Sequence, residues 1–373
     1  MRDGPLRILE IYPKGDFFTG AAMQLRDLAR GLAARGHDVT VVTPPSETWS
    51  ARCREAGLAH VAIPMRRPYD PRAAWRLAQL IRRERIQIVH AHKGRARTLT
   101  LLAGLMGARP LLVLNRGVSF RIGRLRRVGY TTRRVHAVVA VCRSIKDGLV
   151  ASGVPAEKIE VIYSGTDLER FHPGADGVAV RRELGLRAEH ALITQIGVRS
   201  WRGWRDLLEA MTRVAPRLDH ARLLFVGAPP PRVAEIVDEA RTRGLGERVL
   251  VLGHRDDVPQ ILAAADVVVD ASYAGLGITG SIREALACER PVVATSVEGM
   301  PELVLDGETG LLVPPRTPDA LAEALVQMLG DPTAAQAMAR AGRKRVEAHF
   351  SLRAKLDATE ALYRRLVDLR GAA

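Results

Sequence analysis

Apolar residues along the chain fall into short runs, and between the runs they recur every three or four positions. The runs Arg7 to Tyr12, Asp38 to Thr43, Ile86 to Ala91, Leu111 to Leu114, Ala137 to Val141 and Ile159 to Tyr163 read as strands. Between the first two, Leu25, Leu28, Ala29 and Leu32 lie on one face of a helix over Met23 to Ala34, with Gly36 as its stop signal. Strands alternating with helices predict a parallel sheet covered on both faces. The pattern breaks at Phe171 to Gly177, whose Pro and Gly mark a linker, and then restarts. Ala191 to Gly197, Arg222 to Gly227, Arg248 to Leu252, Asp266 to Asp270 and Pro291 to Ala294 form a second set of strands. The expectation is an α/β chain of two doubly wound domains, residues 1–170 and 171–350, facing a central cleft. A closing helix over 351–373, with Leu352, Leu356, Tyr363 and Leu366 on one face, is expected to pack back towards the first domain. The length of 373 residues fits this division, because one hydrophobic core rarely serves so long a chain.

No apolar run reaches the roughly 18 residues that cross a bilayer, and the start Met1-Arg-Asp-Gly-Pro-Leu-Arg7 has no signal-like apolar stretch. A cytoplasmic protein is expected. Cys53, Cys142 and Cys288 stand far apart, which suits neither a disulfide framework nor a zinc ribbon. The net charge of +15 changes the picture through its distribution. Residues 1–173 hold 30 Lys and Arg against 14 Asp and Glu, whereas the remainder holds 26 against 27. From Arg85 to Lys146 there are 14 basic residues and no acidic one. A bias towards arginine, which supplies 50 of the 56 basic residues, explains their number but not this asymmetry. The first half is therefore expected to meet an anionic partner. Nucleic acid is disfavoured, since 4% aromatic residues offer little surface for stacking bases.

The densest chemical signal is Ala274-Gly-Leu-Gly-Ile-Thr-Gly-Ser-Ile-Arg-Glu-Ala-Leu-Ala287, a Gly-rich turn running into a helix. Free N–H groups and the helix dipole at such a start suit a phosphate, which places Gly277, Ile278, Thr279, Gly280, Ser281 and Ile282 in a candidate binding set, with a diphosphate on Thr279 to Ile282. Glu284 has two readings: it closes an S-x-x-E capping box with Ser281, or it accepts hydrogen bonds from a ribose diol beside the phosphate site. Arg199 and Arg202, in Gly197-Val-Arg-Ser-Trp-Arg-Gly203, follow the first strand of the second half, and forked guanidiniums suit phosphate oxygens.

Several stretches, in chain order, resemble the retaining glycosyltransferases of family four. These are Gly31-Leu-Ala-Ala-Arg-Gly-His-Asp-Val-Thr-Val-Val-Thr43, Val161 to Pro173, Arg199 with Arg202-Gly203, Glu284-Ala-Leu-Ala-Cys-Glu-Arg-Pro-Val-Val-Ala-Thr295, and Pro301 to Val313. The resemblance implies a GT-B fold of two Rossmann-like domains, with the acceptor on the first and a nucleotide-sugar on the second. It puts Arg199 and Arg202 on the donor diphosphate, Arg202 standing where lysine is usual, and Glu284 on the ribose. Gly20 and Ala21 fall in the turn that approaches both sugars, and His254 and Arg255 in the turn whose backbone meets the nucleobase. Arg116 stands at or beside the position of a histidine near the reacting sugar, where a cation would stabilise the departing phosphate or bind an acidic acceptor.

The chain also departs from the family pattern. The usual first glutamate, eight residues before the second, is absent: the matching text is Ala274-Gly-Leu-Gly277, and counting back from Glu284 reaches Leu276. No D-x-D metal motif occurs where a divalent ion would be expected, so a metal-independent enzyme without cofactor is expected, its arginines serving in the ion's place. The activity implied is transfer of a hexose, with retention, from an NDP-sugar to a lipid-linked or phosphorylated glycan such as a lipopolysaccharide core. His92, Arg121, Arg124, Arg126 and Arg127 are expected to bind that acceptor, at the inner face of the cytoplasmic membrane. The alternative is a catalytically weak or inactive GT-B protein that binds polyanions or membrane surfaces.

Overall fold

The computed structural model describes residues 4–16, 19–119, 122–274 and 277–371, the side chains of 124–126 excepted. It divides into two compact units, Met1–Gly165 joined by Leu352–Ala373, and Thr166–Ser351. Phe171 is buried in the second unit, so the Pro- and Gly-containing stretch after it lies inside that unit, several residues past the division.

In the first unit β1 (Arg7–Ile11), β2 (Asp38–Thr43), β3 (Ala59–Ala62), β4 (Ile88–His92), β5 (Leu111–Arg116), β6 (Val135–Ala140) and β7 (Ile159–Val161) form one parallel sheet in the order 3-2-1-4-5-6-7. In the second, β8 (Ala191–Ile196), β9 (Ala221–Val226), β10 (Val249–Leu252), β11 (Val267–Asp270), β12 (Val292–Thr295) and β13 (Leu311–Val313) follow the order 10-9-8-11-12-13. Each sheet reverses direction of growth once, between β1 and β4 and between β8 and β11. Ligands of doubly wound sheets bind beyond the carboxyl ends of the strands at such a point. β3 and β13 were not among the expected strands. β3, Ala-His-Val-Ala, is an edge strand with no buried residue, so it lacks the apolar run that marks its neighbours.

Both cores are sandwiched between sheet and helices. In the first, Ile8, Val41, Ile88 and Val113 pack against Leu25, Leu28 and Trp49. The helix Leu352–Gly371 completes this core with Leu356, Leu362, Tyr363 and Leu366. Its close approach to the helix Gly20–Ala34 requires Gly31, where a Cβ would stand 2.4 Å from a methyl of Leu356. In the second, Leu223, Phe225, Val269 and Val293 pack against Trp204, Leu207, Met211 and Leu325.

A buried polar cluster fastens the last helix to the first sheet. Glu10 and His90 are register partners on β1 and β4, and strand alternation puts His92 on the same face. His92 Nε2 lies 2.6 Å from Glu10 Oε2, the Tyr363 hydroxyl donates to Glu10 Oε1 at 3.1 Å, and that hydroxyl is 2.7 Å from His90 Nδ1. Burial alone would raise the Glu10 carboxyl, but charge and hydrogen bonds from His90 and His92 outweigh it and hold the group well below the carboxylate range. Burial, followed by the charge of His90, pushes His92 down to about 4 against the pull of Glu10. The cluster therefore rests as an ionised carboxylate receiving a hydrogen bond from a neutral imidazole.

This state has a pH dependence of definite sign. With His92 at about 4 in the fold and at its ordinary 6.5 when unfolded, the unfolded chain takes up the proton first. Stability is complete above pH 6.5 and declines as the pH falls towards 4, with Glu10 adding a further loss below the ordinary carboxylate value of 4.5. Urea unfolding at pH 7, 5.5 and 4.5 is expected to show this decline in the parent and a shallower one in His92→Gln. Parallel declines in the two proteins would contradict the assignment.

Candidate active site

The second unit brings Arg199, Arg202 and the start of the helix that carries Glu284 to its point of reversal. β8 ends at Ile196, and Arg199 and Arg202 flank the short 3-10 turn that follows it. β11 ends at Asp270, and after residues 271–279 the helix Gly280–Ala287 begins. Arg202 joins the two. Its Nη1 lies 3.1 Å from Asp270 Oδ2, its Nε donates to Gly197 O at 3.3 Å, and its Nη2 donates to Ile196 O and, at 3.2 Å, to Ser281 Oγ. The Asp270 contact is ionic and off the hydrogen-bonding angle, because Oδ2 has no hydrogen bond, while Oδ1 accepts from Ser272 N at 2.9 Å. Both partners are buried. Gln195, also buried, donates to Arg202 O at 3.1 Å and accepts from Ala271 N at 3.4 Å, a second stitch between β8 and β11. Gly203, at φ +61°, allows the approach: a Cβ there would lie 1.9 Å from Ala271 O.

These contacts revise the expected division of labour. Arg202 was expected to meet a diphosphate, yet its charge is balanced by Asp270 and its donors are spent inside the fold. It acts first as the residue that positions the helix start. Arg199 is exposed, and its guanidinium has no hydrogen bond or ion pair among the described residues, so it is the open cation of the pair.

The helix start is itself open. Thr279 is its N-cap residue, with no side-chain cap hydrogen bond, and Thr279 Oγ1 is buried without a partner although the residue is only 4% exposed. Such an orphaned hydroxyl costs roughly 1–3 kcal/mol unless a ligand satisfies it. The capping-box reading of Ser281 and Glu284 is corrected here, since Ser281 lies within the first turn and its hydroxyl receives Arg202. Glu284 is half-buried and turns back towards the start: a Cβ on Gly280 would meet its Oε1 at 3.4 Å and Arg283 Nη2 at 3.8 Å. Arg283, which sequence reasoning passed over, is a buried cation beside the helix mouth. It donates to Thr166 Oγ1 at 3.2 Å, and burial lowers its pKa to about 10. Its helical spacing on an otherwise buried face was the signal that could have singled it out. Gly277 is buried, with its carbonyl accepting from Gly299 N at 3.1 Å, and Ile278 is half-buried. The Ile282 side chain belongs to the core, leaving only its backbone to a ligand.

His254 and Arg255 follow β10, two strands from β8, or about 10 Å at the spacing of a sheet. His254 is exposed, 3.5 Å from Asp256. The Arg255 guanidinium is held by Glu183, at 2.5 and 2.9 Å, and by Asp257, at 2.8 and 2.6 Å. The Arg255 side chain is thus taken up by carboxylates and not offered to a base.

In the first unit the expected residues are more dispersed. Gly20 and Ala21 are exposed at the start of the helix Gly20–Ala34, whose N-cap Thr19 accepts from Ala22 N and is bonded to the Tyr12 hydroxyl at 2.9 Å. Arg116 closes β5, half-buried, with Nη1 3.5 Å from the Tyr130 hydroxyl. His92 departs from the acceptor-binding expectation: it faces Glu10 and the terminal helix and is buried, because it shares a strand face with His90. Glu10, His90 and His92 are the one such trio among the described residues with atoms close enough to hold a metal ion, yet the facing atoms already satisfy one another. Arg124, Arg126 and Arg127 lie on the helix Arg124–Thr131, with Arg127 exposed; Arg121 lies outside the described residues.

Comparison with known proteins identifies the family. The family described as Glycosyltransferase Family 4 matches residues 18–170, and that described as Glycosyl transferases group 1 matches residues 191–331. The chain is 30% identical over 336 residues to the GDP-mannose-dependent alpha-(1-6)-phosphatidylinositol monomannoside mannosyltransferase of Mycolicibacterium smegmatis, covering 84% of this chain and 86% of that one. It is 25% identical over 362 residues to the N-acetyl-alpha-D-glucosaminyl L-malate synthase of Bacillus anthracis, covering 92% and 93%. Among solved structures, a glycosyltransferase from Rickettsia africae ESF-5 superposes with a TM-score of 0.88 at 21% identity, over 97% of this chain and 99% of that one. Anabaena Alr3699/HepE in complex with UDP-glucose gives 0.83 at 23%, over 95% and 98%. Fold and site thus define a glycosyltransferase of the GT-B class. Within that class the chain belongs to glycosyltransferase family 4.

The two arginines are expected to separate in experiment. Arg199→Ala should weaken nucleotide binding by roughly tenfold or more, the value of one charge-assisted hydrogen-bonding group, without moving the melting temperature. Arg202→Ala leaves Asp270 buried and unpaired, at a cost of about 3 kcal/mol, and should lower the melting temperature by several degrees. Calorimetric titration and thermal melts check this; a stable Arg202→Ala protein together with unchanged nucleotide affinity in Arg199→Ala would reject both roles.

Proposed function

We propose that the enzyme moves a hexose, with retention, from a nucleoside diphosphate sugar to a hydroxyl of an anionic acceptor, a lipid-linked or phosphorylated glycan of the cell envelope. The observation that carries the donor half is the uncapped helix start, where the buried Thr279 hydroxyl has no partner, with the exposed Arg199 following the neighbouring strand β8. A diphosphate there receives the backbone N–H groups of residues 280–282, the Thr279 hydroxyl and a full positive charge. Both HepE, solved with UDP-glucose, and the GDP-mannose-dependent relative support a donor of this kind.

As the glycosidic bond to phosphate lengthens, negative charge grows on the diphosphate and positive charge on the sugar ring. Groups fixed beforehand on the developing anion lower the barrier, each by about 3 kcal/mol in comparable sites. Arg202 takes part by holding the helix start still, and the half-buried Glu284 is suited to a ribose diol. The departing phosphate takes the acceptor's proton on the face it leaves, so no protein base is required. Arg199 does the work that a divalent ion does elsewhere, and no cofactor is called for.

The acceptor half rests on charge. The tract from Arg85 to Lys146, with 14 basic residues and no acidic one, lies wholly in the first unit. The named relatives act on malate and on a phosphatidylinositol mannoside, both anionic. A lipid-linked acceptor would bring the enzyme to the inner face of the cytoplasmic membrane as a peripheral protein, with Arg124, Arg126 and Arg127 towards phosphate head groups. No helix among the described residues is long and apolar enough to cross a bilayer.

Incubation with UDP-, GDP- and ADP-sugars without acceptor is expected to show slow release of free sugar from one donor, with its anomeric configuration retained by NMR. Glu284→Ala should slow that release by roughly a hundredfold, the upper range for a lost charged contact. Consumption of none of the donors, with no melting shift from UDP, GDP or ADP, would overturn the reading, and an inverted product would overturn retention.

A further inference from the structure

Where β5, β6 and β7 begin, at the opposite end of the first sheet from Arg116, a pocket of about 760 Å³ opens between the helix Lys93–Leu105 and the last turns of Leu352–Gly371. Arg109, Arg133, Arg134, Lys158 and Arg370 line it, and no Asp or Glu does so among the described residues. One side is apolar, built by Leu101, Leu366 and Leu369, the last 63% exposed.

Most arginines in this chain are tied down. Arg205 reaches Glu235 and Glu239, Arg243 reaches Glu209 and Glu239, and Arg255 reaches Glu183 and Asp257. In the pocket the pattern stops: the guanidiniums of Arg109, Arg133, Arg134 and Arg370 have no hydrogen bond or ion pair with any described residue. Lys158 Nζ donates to Thr131 O at 3.3 Å and Thr132 O at 3.0 Å, which fixes the ammonium without neutralising it. Arg134 is laid across the helix at Gly104, where a Cβ would stand 2.6 Å from its Nη1. The positive field is felt nearby, since His136 is held below its ordinary pKa by burial first and then by Arg370 and Lys158. Unpaired like charges around one concavity repel one another, and an anion relieves that repulsion. Charge alone would suit any small anion, but the leucine side favours one that carries carbon.

We infer that this pocket binds an anionic amphiphile, a phosphate head met by the guanidiniums on an aliphatic body of several carbons laid on Leu366 and Leu369. β5 is six residues long, so the pocket is about 17 Å from Arg116 and the sugar-transfer end of the sheet. It is a second site, independent of donor binding and of the acceptor proposed above.

Octyl phosphate below its micellar concentration, inorganic phosphate and octyl glucoside are titrated calorimetrically into the full chain. Octyl phosphate is expected to bind at least about tenfold more tightly than either of the others, because each lacks one of the two features. Arg133→Ala/Arg134→Ala should weaken octyl phosphate about tenfold. Leu369→Ser should also weaken it while leaving inorganic phosphate unchanged. Arg72→Ala/Arg76→Ala, which removes equal charge from the exposed face of the helix Pro71–Arg83, should change nothing. Equal affinity for inorganic phosphate, or equal loss in the two double variants, would overturn the proposal. Competition by phosphatidylcholine vesicles containing phosphatidylglycerol, and none by phosphatidylcholine alone, identifies the amphiphile as a bilayer lipid; no competition by either identifies a soluble one. Nucleotide-induced melting shifts, read in parallel, keep any failure here distinct from failure of the donor site.

Discussion

One guanidinium holds the candidate site of the second unit in place. Arg202 ties the carbonyl end of β8, the carboxylate at the end of β11 and the first turn of the helix Gly280–Ala287 into one rigid junction. Without that junction, the helix start would have neither a fixed position nor a reason to remain uncapped. Its geometry depends on Gly203, where any side chain would strike Ala271 O, and on Gln195, which stitches the same two strands. Rigidity matters because a preorganised anion site gains its advantage from groups that need not move when charge develops. Thr279 Oγ1 and Arg199 stay open while the nearby Arg202 is spent on structure.

The first unit shows the same division between fixed and open groups. Glu10, His90, His92 and Tyr363 use four polar side chains to fasten the terminal helix, at the face that strand alternation assigns to them. Arg109, Arg133, Arg134 and Arg370, around a pocket at the far end of the sheet, are left unpaired among the described residues instead, and this is where the charge asymmetry of the sequence becomes local. A net charge of +15 is thus not a uniform coating but the sum of a balanced second half and a first half with cations to spare.

Most of the fold was legible because buried parallel strands appear as unbroken apolar runs, and eleven runs correspond to strands of the two sheets. β3 was not, since an edge strand of Ala, His, Val and Ala has no such run. The candidate site was legible as composition, a Gly-rich turn before a helix, but not as contacts. Spacing cannot show that Ser281 lies inside the first turn, that Arg202 finds Asp270, or that Arg283 turns inward, because each depends on a partner far away in sequence. His92 failed for a related reason: its place at a strand end suggested exposure, and only the terminal helix, more than 250 residues later, covers that face.

Amide hydrogen exchange in the presence of saturating UDP, GDP and ADP in turn tests the central claim most directly. If the uncapped helix start receives the diphosphate, one of the three nucleotides slows exchange at the amides of residues 280–282 by roughly tenfold or more, and the first unit is unaffected. Unchanged exchange at these amides, with protection by a bound nucleotide appearing elsewhere, would contradict the account.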